Sequence, residues 1–137
     1  MEDLPTWRWL MTGDVRLREV GFYSSAIDVS AAASAVEQPW EQMAAGYLER
    51  GMTMLVSPGW AVDLLNDQAG KICQYSTLTD GVWIWPSDLV HYLRTYHVVL
   101  PEEFLEHMAS RSWVVPELDD AELDAICERL ELQRGTP

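Results

Sequence analysis

The stretch KICQYSTLTDGVWIWP, Lys71 to Pro86, decides the fold. Two runs rich in β-branched and aromatic residues flank Asp80-Gly81, a dipeptide that favours the positive φ angles of a type I′ turn. The stretch therefore predicts a β-hairpin closed by a two-residue turn. The facing pairs of this hairpin would be Leu78 with Trp83, Ser76 with Trp85, and Thr77 with Ile84. Pro86 would end the ladder because it has no N–H to donate.

Weaker patterns precede the hairpin. Apolar pieces from Trp7 to Met11 and from Val15 to Tyr23 fit either short strands or irregular chain. The alanine-rich run from Ser30 predicts a short helix. The segment PWEQMAAGYLERG predicts another helix, with Pro39 at its first position and Gly51 just after its end.

The remaining segments complete an α+β pattern. MTMLVS predicts a strand, and Ser57 and Pro58 would then start a short helix. Three helices should follow the hairpin: one capped by Ser87 or Asp88, one opened by Pro101, and one within DDAELDAICERLEL. Their expected inward stripes are Leu89, Tyr92, Leu93 and Tyr96, then Phe104, Leu105 and Met108, then Leu123, Ile126, Cys127 and Leu130.

Neither a linker nor a repeat divides the chain. We therefore expect residues 1–137 to form a single α+β domain. A small antiparallel sheet with a central β-hairpin would be packed by several helices, three of them C-terminal.

Charge narrows the function. The 22 acidic residues outnumber nine basic ones, for a net charge of −13. A protein that binds nucleic acid directly needs basic patches for the phosphates, so a basic protein is the better expected partner. The alternative is that the charge serves solubility alone. No pattern indicates an oligomeric state.

The absence of signals bears on the compartment. No apolar run approaches the roughly 20 residues of a membrane span, and the N-terminal MEDLPTWRWLMTGD lacks the features of a secretory signal. We expect no membrane association and a cytoplasmic location. Cys73 and Cys127 are expected to be buried thiols.

Acidic residues gather in the C-terminal third. From Pro101 onward there are ten acidic and three basic residues. The outer faces of the last two helices carry most of them, and together they predict one negative surface that steers a cationic partner. Alone, each face is typical of a solvated amphipathic helix. The predicted partner-binding carboxylates are Glu102, Glu103, Glu106, Asp119, Asp120, Glu122 and Asp124.

Two tryptophans of the hairpin allow two interpretations. Trp83 and Trp85 share a face with polar residues, so they could form an exposed patch that contacts the partner. The alternative places them in the core. Tyr92 and Tyr96 fit the core stripe of their helix.

No pattern predicts catalysis or a metal. Glu103 and His107 have the i, i+4 spacing of two metal ligands, but no third ligand completes a site. His91 is expected to form a surface ion pair with Asp88. The chain lacks a G-x-S-x-G elbow, an activated cysteine and a glycine-rich phosphate loop. We therefore predict no catalytic residues, no metal and no cofactor.

The run TDGVWIWPSDLVHYLRTYHVVLPEEF resembles small bacterial proteins with a D-G-x-W-x-W-P hairpin followed by D-L-x-x-Y-L and L-P-x-E-F helices. The compact, acidic, Trp-rich chain is also similar to bacterial toxin-immunity proteins. That resemblance implies a protein that inhibits a cognate toxin by occlusion, with no residue carried over by motif. The expected function is a non-enzymatic acidic protein that neutralises a basic partner. The alternatives are a DNA-mimic inhibitor of a nucleic-acid-binding defence protein and a small enzyme with an unrecognised site.

Overall fold

A computed structural model describes residues 16–134 of the protein. These residues form five α-helices and a four-stranded sheet, which confirms the predicted α+β class. The predicted apolar piece from Trp7 to Met11 lies outside the described residues. In chain order the elements are β1 (Arg18–Glu19), α1 (Ala26–Ala32), α2 (Glu41–Glu49), β2 (Met52–Val62), a 3₁₀ turn (Asp67–Ala69), β3 (Lys71–Thr79), β4 (Trp83–Pro86), α3 (Leu89–Tyr96), α4 (Glu102–Ser110) and α5 (Asp120–Arg134).

The sheet has the strand order β1-β4-β3-β2. β2, β3 and β4 pair antiparallel, as the hairpin pattern predicted, whereas the short strand β1 runs parallel to β4. The sheet is therefore mixed. β1 and β2 are its two edges within the described part of the chain.

Apolar side chains hold helices against both faces of the sheet. On one face, Trp83 and Trp85 pack with buried side chains from α1, α2, α3 and α4. On the other face, Ile84 packs with Ile126 and Leu130 of α5. Successive residues of a strand point to opposite faces, so β4 supplies both cores at once. The two acidic helices α4 and α5 consequently lie on opposite sides of the sheet.

The central hairpin has a different register from the predicted one. Leu78 pairs with Trp85 and Thr79 with Ile84, so β4 is displaced by two residues relative to the expected pairing. Three residues, 80–82, connect the strands. Gly81 has a φ of 103°, but Asp80 does not adopt the positive φ that a type I′ turn also requires. The two-residue turn was therefore wrong, although the displacement by two keeps each side chain on its predicted face.

Hydrogen bonds from side chains build the observed turn. The Asp80 carboxylate accepts the backbone N–H groups of Val82 at 2.9 Å and Trp83 at 2.8 Å. The Thr79 hydroxyl donates to the Trp83 carbonyl and accepts the Gly81 N–H. An Asx turn of this kind lengthens the connection because the carboxylate takes N–H groups that would otherwise pair across the strands.

The helix predicted from Ser57 and Pro58 is wrong. β2 continues through both residues to Val62, with a register shift between Val56 and Trp60. A proline within a strand is tolerated at a sheet edge, where its missing N–H faces no partner strand, and a bulge absorbs the extra residues.

The helices largely follow their patterns. α1 begins at Ala26, earlier than the alanine-rich run suggested, and Ser25 caps it. α2 ends before Gly51, where a Cβ would lie only 2.5 Å from the Trp85 ring, so the glycine also admits a core aromatic. Pro101 is the N-cap of α4. None of the helices within residues 16–134 has the length and apolar character needed to cross a bilayer.

Candidate functional site

A groove of about 720 Å³ lies where β1 meets the start of α4. We call it the α4 groove. It brings together four of the predicted partner-binding residues: Glu102, Glu103, Glu106 and Trp83. The other lining residues are Arg16, Leu17, Arg18, Glu19 and Pro101. Acidic residues suit this position locally, because Glu102 and Glu103 stand in the first turn of α4, where the helix dipole favours negative charge.

Arg18 already places a cation in the α4 groove. Its guanidinium carbon lies 4.4 Å from the centroid of the Trp83 ring, and a guanidinium N–H donates to the Glu103 carboxylate. The alternation Arg16-Leu17-Arg18 explains this placement, since Leu17 points to the opposite face and packs with α5. Sequence reasoning missed Arg18, although that alternation was a visible signal.

Two carboxylates of the α4 groove remain open to solvent. Glu102 and Glu106 are exposed, and within residues 16–134 neither has a hydrogen-bond or ion-pair partner. Glu103 is exposed as well but shares its charge with Arg18. The groove thus holds one satisfied acid–base pair and two carboxylates that a cation could still approach.

Trp83 and Trp85 belong to the core. Their exposed fractions are 4% and 0%, so the prediction of an exposed tryptophan patch is wrong. Phe104 of α4 covers both rings, with centroid distances of 4.8 Å to Trp83 and 5.7 Å to Trp85. The Trp85 indole N–H donates to the Leu48 carbonyl at 3.1 Å. The polar neighbours in the sequence suggested a half-covered face, but helices of the long N-terminal segment cover it. Only Trp83 lines the α4 groove.

The acidic residues of α5 do not extend this groove. They lie on the helix that packs against the other face of the sheet, so the single negative surface expected from the sequence is divided in two. Asp119 and Glu122 also have a local role. The Asp119 carboxylate accepts the Glu122 N–H at 2.8 Å, and the Glu122 carboxylate accepts the Asp119 N–H, which is a capping box. Asp120 and Asp124 are exposed.

All three histidines pair with nearly buried carboxylates from other elements. His91 was expected to pair with Asp88, but its Nε2 lies 2.8 Å from Asp63. The i, i+3 rule failed because the helix packs against the end of β2, which presents a closer acid. The three pairs are His91 with Asp63, His97 with Glu41 and His107 with Asp80.

Asp80 is the most heavily bonded of these carboxylates. It accepts the Tyr47 hydroxyl at 2.5 Å and His107 Nε2 lies at 2.9 Å, in addition to the two backbone groups of the turn. Burial alone would raise the pKa of Asp80. The hydrogen bonds from His107, Tyr47 and the backbone outweigh burial and hold the pKa below its ordinary value. The residue is thus a charged bolt between the hairpin, α2 and α4.

Asp63 has a comparable environment beside α3. One carboxylate oxygen meets both His91 Nε2 and the Tyr96 hydroxyl at 2.8 Å, and the other accepts backbone N–H groups of Leu65 and Asn66. Burial would raise the pKa of Asp63, but the bonds from His91, the backbone and Tyr96 lower it. A histidine oriented by a carboxylate can act as a general base.

Nucleophiles are not placed beside these histidines. In the described part of the chain, no serine, threonine or cysteine side chain hydrogen-bonds a histidine ring, and every histidine ring nitrogen with a partner meets a carboxylate. Cys73 instead lies 3.6 Å from the Ser87 hydroxyl. No group of three or more potential metal ligands comes together between residues 16 and 134. The histidine pairs therefore serve best as cross-links between elements.

Comparison with protein-family models gives no match for this chain, and comparisons with curated proteins and with solved structures give none either. The interpretation of the α4 groove therefore rests on its own geometry.

Proposed function

We propose that the protein is a non-enzymatic cytoplasmic protein that captures a basic protein at the α4 groove and neutralises it, in the manner of a bacterial toxin-immunity protein. One observation carries the proposal. The groove already accommodates a guanidinium, that of Arg18, between the Trp83 ring and the Glu103 carboxylate. A surface arginine or lysine of a partner would meet the same chemistry at Glu102 and Glu106.

The charge of the whole chain supports this proposal. A net charge of −13 attracts a basic partner from a distance and raises the rate of encounter. The two open carboxylates of the groove then give the encounter a defined place to end. Rim charges of this kind act mainly on association rate and specificity.

The division of the acidic residues favours capture of a protein over imitation of DNA. A DNA mimic needs a continuous row of carboxylates spaced like phosphates, whereas α4 and α5 present their acids on opposite sides of the sheet. A single groove with an aromatic floor is better suited to a protein surface that projects one or two cationic side chains.

Two matched variants test the proposal. The first, E102Q/E103Q/E106Q, removes three charges from the α4 groove and keeps nearly the same shape. The second, D120N/D124N/E128Q, removes three charges from exposed positions of α5 and leaves its capping box intact. Each immobilised protein would be used to capture partners from extracts of cells that carry the gene. Bound proteins would be identified by mass spectrometry.

We expect the wild type and the α5 variant to retain the same basic protein and the α4 variant to lose it. Expression of that protein alone should slow growth, and co-expression of the wild type should restore it. Retention of a partner equally by all three proteins, or capture of an acidic partner, would contradict the proposal.

A further inference from the structure

The sheet has one long open edge. β2 is the last strand in the order β1-β4-β3-β2, and only β3 pairs with it within residues 16–134. Its eleven residues, MTMLVSPGWAV, include no charged side chain, although the chain as a whole is highly charged. Natural sheets usually protect such an edge with lysines, inward charges or covering chain, because exposed N–H and C=O groups recruit another strand.

Large apolar side chains are exposed along the same edge. Leu55, Val56, Trp60 and Val62 of β2 are 46%, 59%, 55% and 52% exposed, and Leu65 just beyond the strand is 37% exposed. The remaining exposed apolar residues are distributed over other elements. A contiguous apolar edge of this kind is typical of a protein interface.

We propose that β2 is the interface of a homodimer in which the β2 strands of two copies lie antiparallel across a two-fold axis. This arrangement follows from the charges at the ends of the strand. Arg50 precedes β2 and Asp67 follows it, and both are exposed. An antiparallel second copy brings Arg50 of each chain toward Asp67 of the other, whereas a parallel copy would bring like charges together.

An uncharged occupant also fits the middle of the strand. The cationic partner of the α4 groove would bury charge against Leu55, Val56 and Trp60 without a carboxylate to meet it. A second β2 offers matching apolar residues. Lys71 lies 5.0 Å over the Trp60 ring, so the one lysine of the chain covers one side of this tryptophan and leaves the strand itself uncharged.

Association at this edge is closed. Each chain has one β2 edge, so pairing two copies consumes both edges and leaves none for a third. Pro58 lacks an N–H, and the register shift between Val56 and Trp60 bends the strand. Backbone pairing is therefore confined to short pieces on either side of Pro58, and the apolar side chains supply most of the affinity.

Salt distinguishes this dimer from capture of the cationic partner. Two chains of charge −13 repel each other, and salt screens that repulsion. Dimer affinity should increase with salt, whereas binding of a basic protein at the α4 groove should decrease. The two interactions can therefore fail or succeed independently.

Sedimentation equilibrium of the full chain tests the proposal at concentrations from roughly 1 to 300 µM, the range expected for a modest interface. Val56→Lys places a charge on the open edge, and Val114→Lys is its matched control, because Val56 and Val114 are 59% and 63% exposed. We expect the wild type and the control to dimerise. Val56→Lys should weaken the dimer by about tenfold or more, since each interface contains the change twice. Thermal unfolding should be similar for all three proteins.

Several outcomes would overturn the proposal. A wild type that stays monomeric up to the highest concentration excludes the dimer. A dimer weakened equally by both lysine variants places the interface elsewhere. If the wild type is monomeric and Val56→Lys abolishes capture of the basic protein instead, the edge binds that partner and not a second copy.

Discussion

The Arg18 guanidinium lies 4.4 Å from the centroid of the Trp83 ring, so an edge-strand cation covers the one core tryptophan that reaches the α4 groove. The contact depends on the parallel pairing of β1 with β4, in which Arg18 and Trp83 are register partners. Arg18 therefore occupies the position that a cationic side chain of the partner would favour. It also neutralises one carboxylate of the groove, Glu103.

Removal of this internal cation should make the groove more receptive. Arg18→Met keeps most of the aliphatic stem and deletes the charge, so Glu103 joins Glu102 and Glu106 as an open carboxylate. We expect faster capture of the basic partner, by roughly threefold, because the local potential becomes more negative. Stability should change by less than about 1 kcal/mol, since the ion pair is exposed. Surface plasmon resonance and thermal unfolding measure the two effects. A slower capture would show that Arg18 itself contacts the partner.

The tryptophans of the hairpin should behave as core residues. Trp85→Ala removes a fully buried ring and its hydrogen bond to the Leu48 carbonyl, so we expect a loss of about 3–5 kcal/mol in the free energy of unfolding. Trp60→Ala is the control, because Trp60 is 55% exposed, and it should cost less than about 1 kcal/mol. Urea denaturation followed by circular dichroism measures both. Equal losses would contradict the assignment of Trp85 to the core.

Asp80 should stabilise the fold at neutral pH and lose that effect in acid. Its pKa is lower in the folded chain than its ordinary value of 3.8, so its contribution is present above pH 3.8 and is lost as pH falls through the folded pKa. Asp80→Asn should cost about 3 kcal/mol at pH 7, because the charged centre of the Tyr47 and His107 contacts is removed.

The acid-induced loss of stability should also be shallower in Asp80→Asn than in the wild type. Urea denaturation between about pH 2 and 7 measures this slope. Asp67→Asn, at an exposed position of the 3₁₀ turn, serves as the control and should unfold like the wild type. An unchanged slope in Asp80→Asn would exclude Asp80 as a source of the pH dependence.

Asp88 should act with the opposite sign. Its side chain is buried at the start of α3 and makes no capping hydrogen bond. Burial raises the pKa of Asp88 from 3.8 to about 6, so the folded state prefers the protonated form. Stability from this group is present below pH 3.8 and is lost as pH rises through 6.

The neutral variant Asp88→Asn should therefore be more stable than the wild type at pH 7.5, by about 1–3 kcal/mol. The difference should shrink toward zero as pH falls to about 4, where the wild-type carboxyl is itself neutral. Parallel denaturation curves at both pH values provide the measurement. A destabilised variant at pH 7.5 would show that the charged carboxylate has a favourable contact at the helix start.

Local patterns predicted the elements better than their connections. The Asp80-Gly81 dipeptide located the hairpin, and Pro101 located the start of α4. The turn itself depends on the Tyr47 hydroxyl and His107, which are distant in sequence, so the dipeptide alone indicated the wrong length. Local preference also favoured a helix at Pro58, where the sheet edge accommodates the proline in a strand.

The candidate site was partly visible in the sequence. Glu102, Glu103 and Glu106 were predicted from the acidic outer face of α4, and the structure places them around one groove. The groove also requires Arg18, which arrives through a two-residue parallel strand that no pattern distinguished. The capping box of Asp119 and Glu122 was readable as D-x-x-E but had been assigned to partner binding.

The association rate with the purified basic partner tests the central claim most directly. It would be measured by surface plasmon resonance for the wild type, E102Q/E103Q/E106Q and D120N/D124N/E128Q at several salt concentrations. Electrostatic steering predicts a wild-type rate that falls as salt rises, and a rate about tenfold lower for the α4 variant at low salt. The α5 variant should remain within about threefold of the wild type, since its charges lie across the sheet and act only through the long-range field. Equal rates for the wild type and the α4 variant, with no dependence on salt, would contradict capture at the α4 groove and leave the acidic surface with solubility alone.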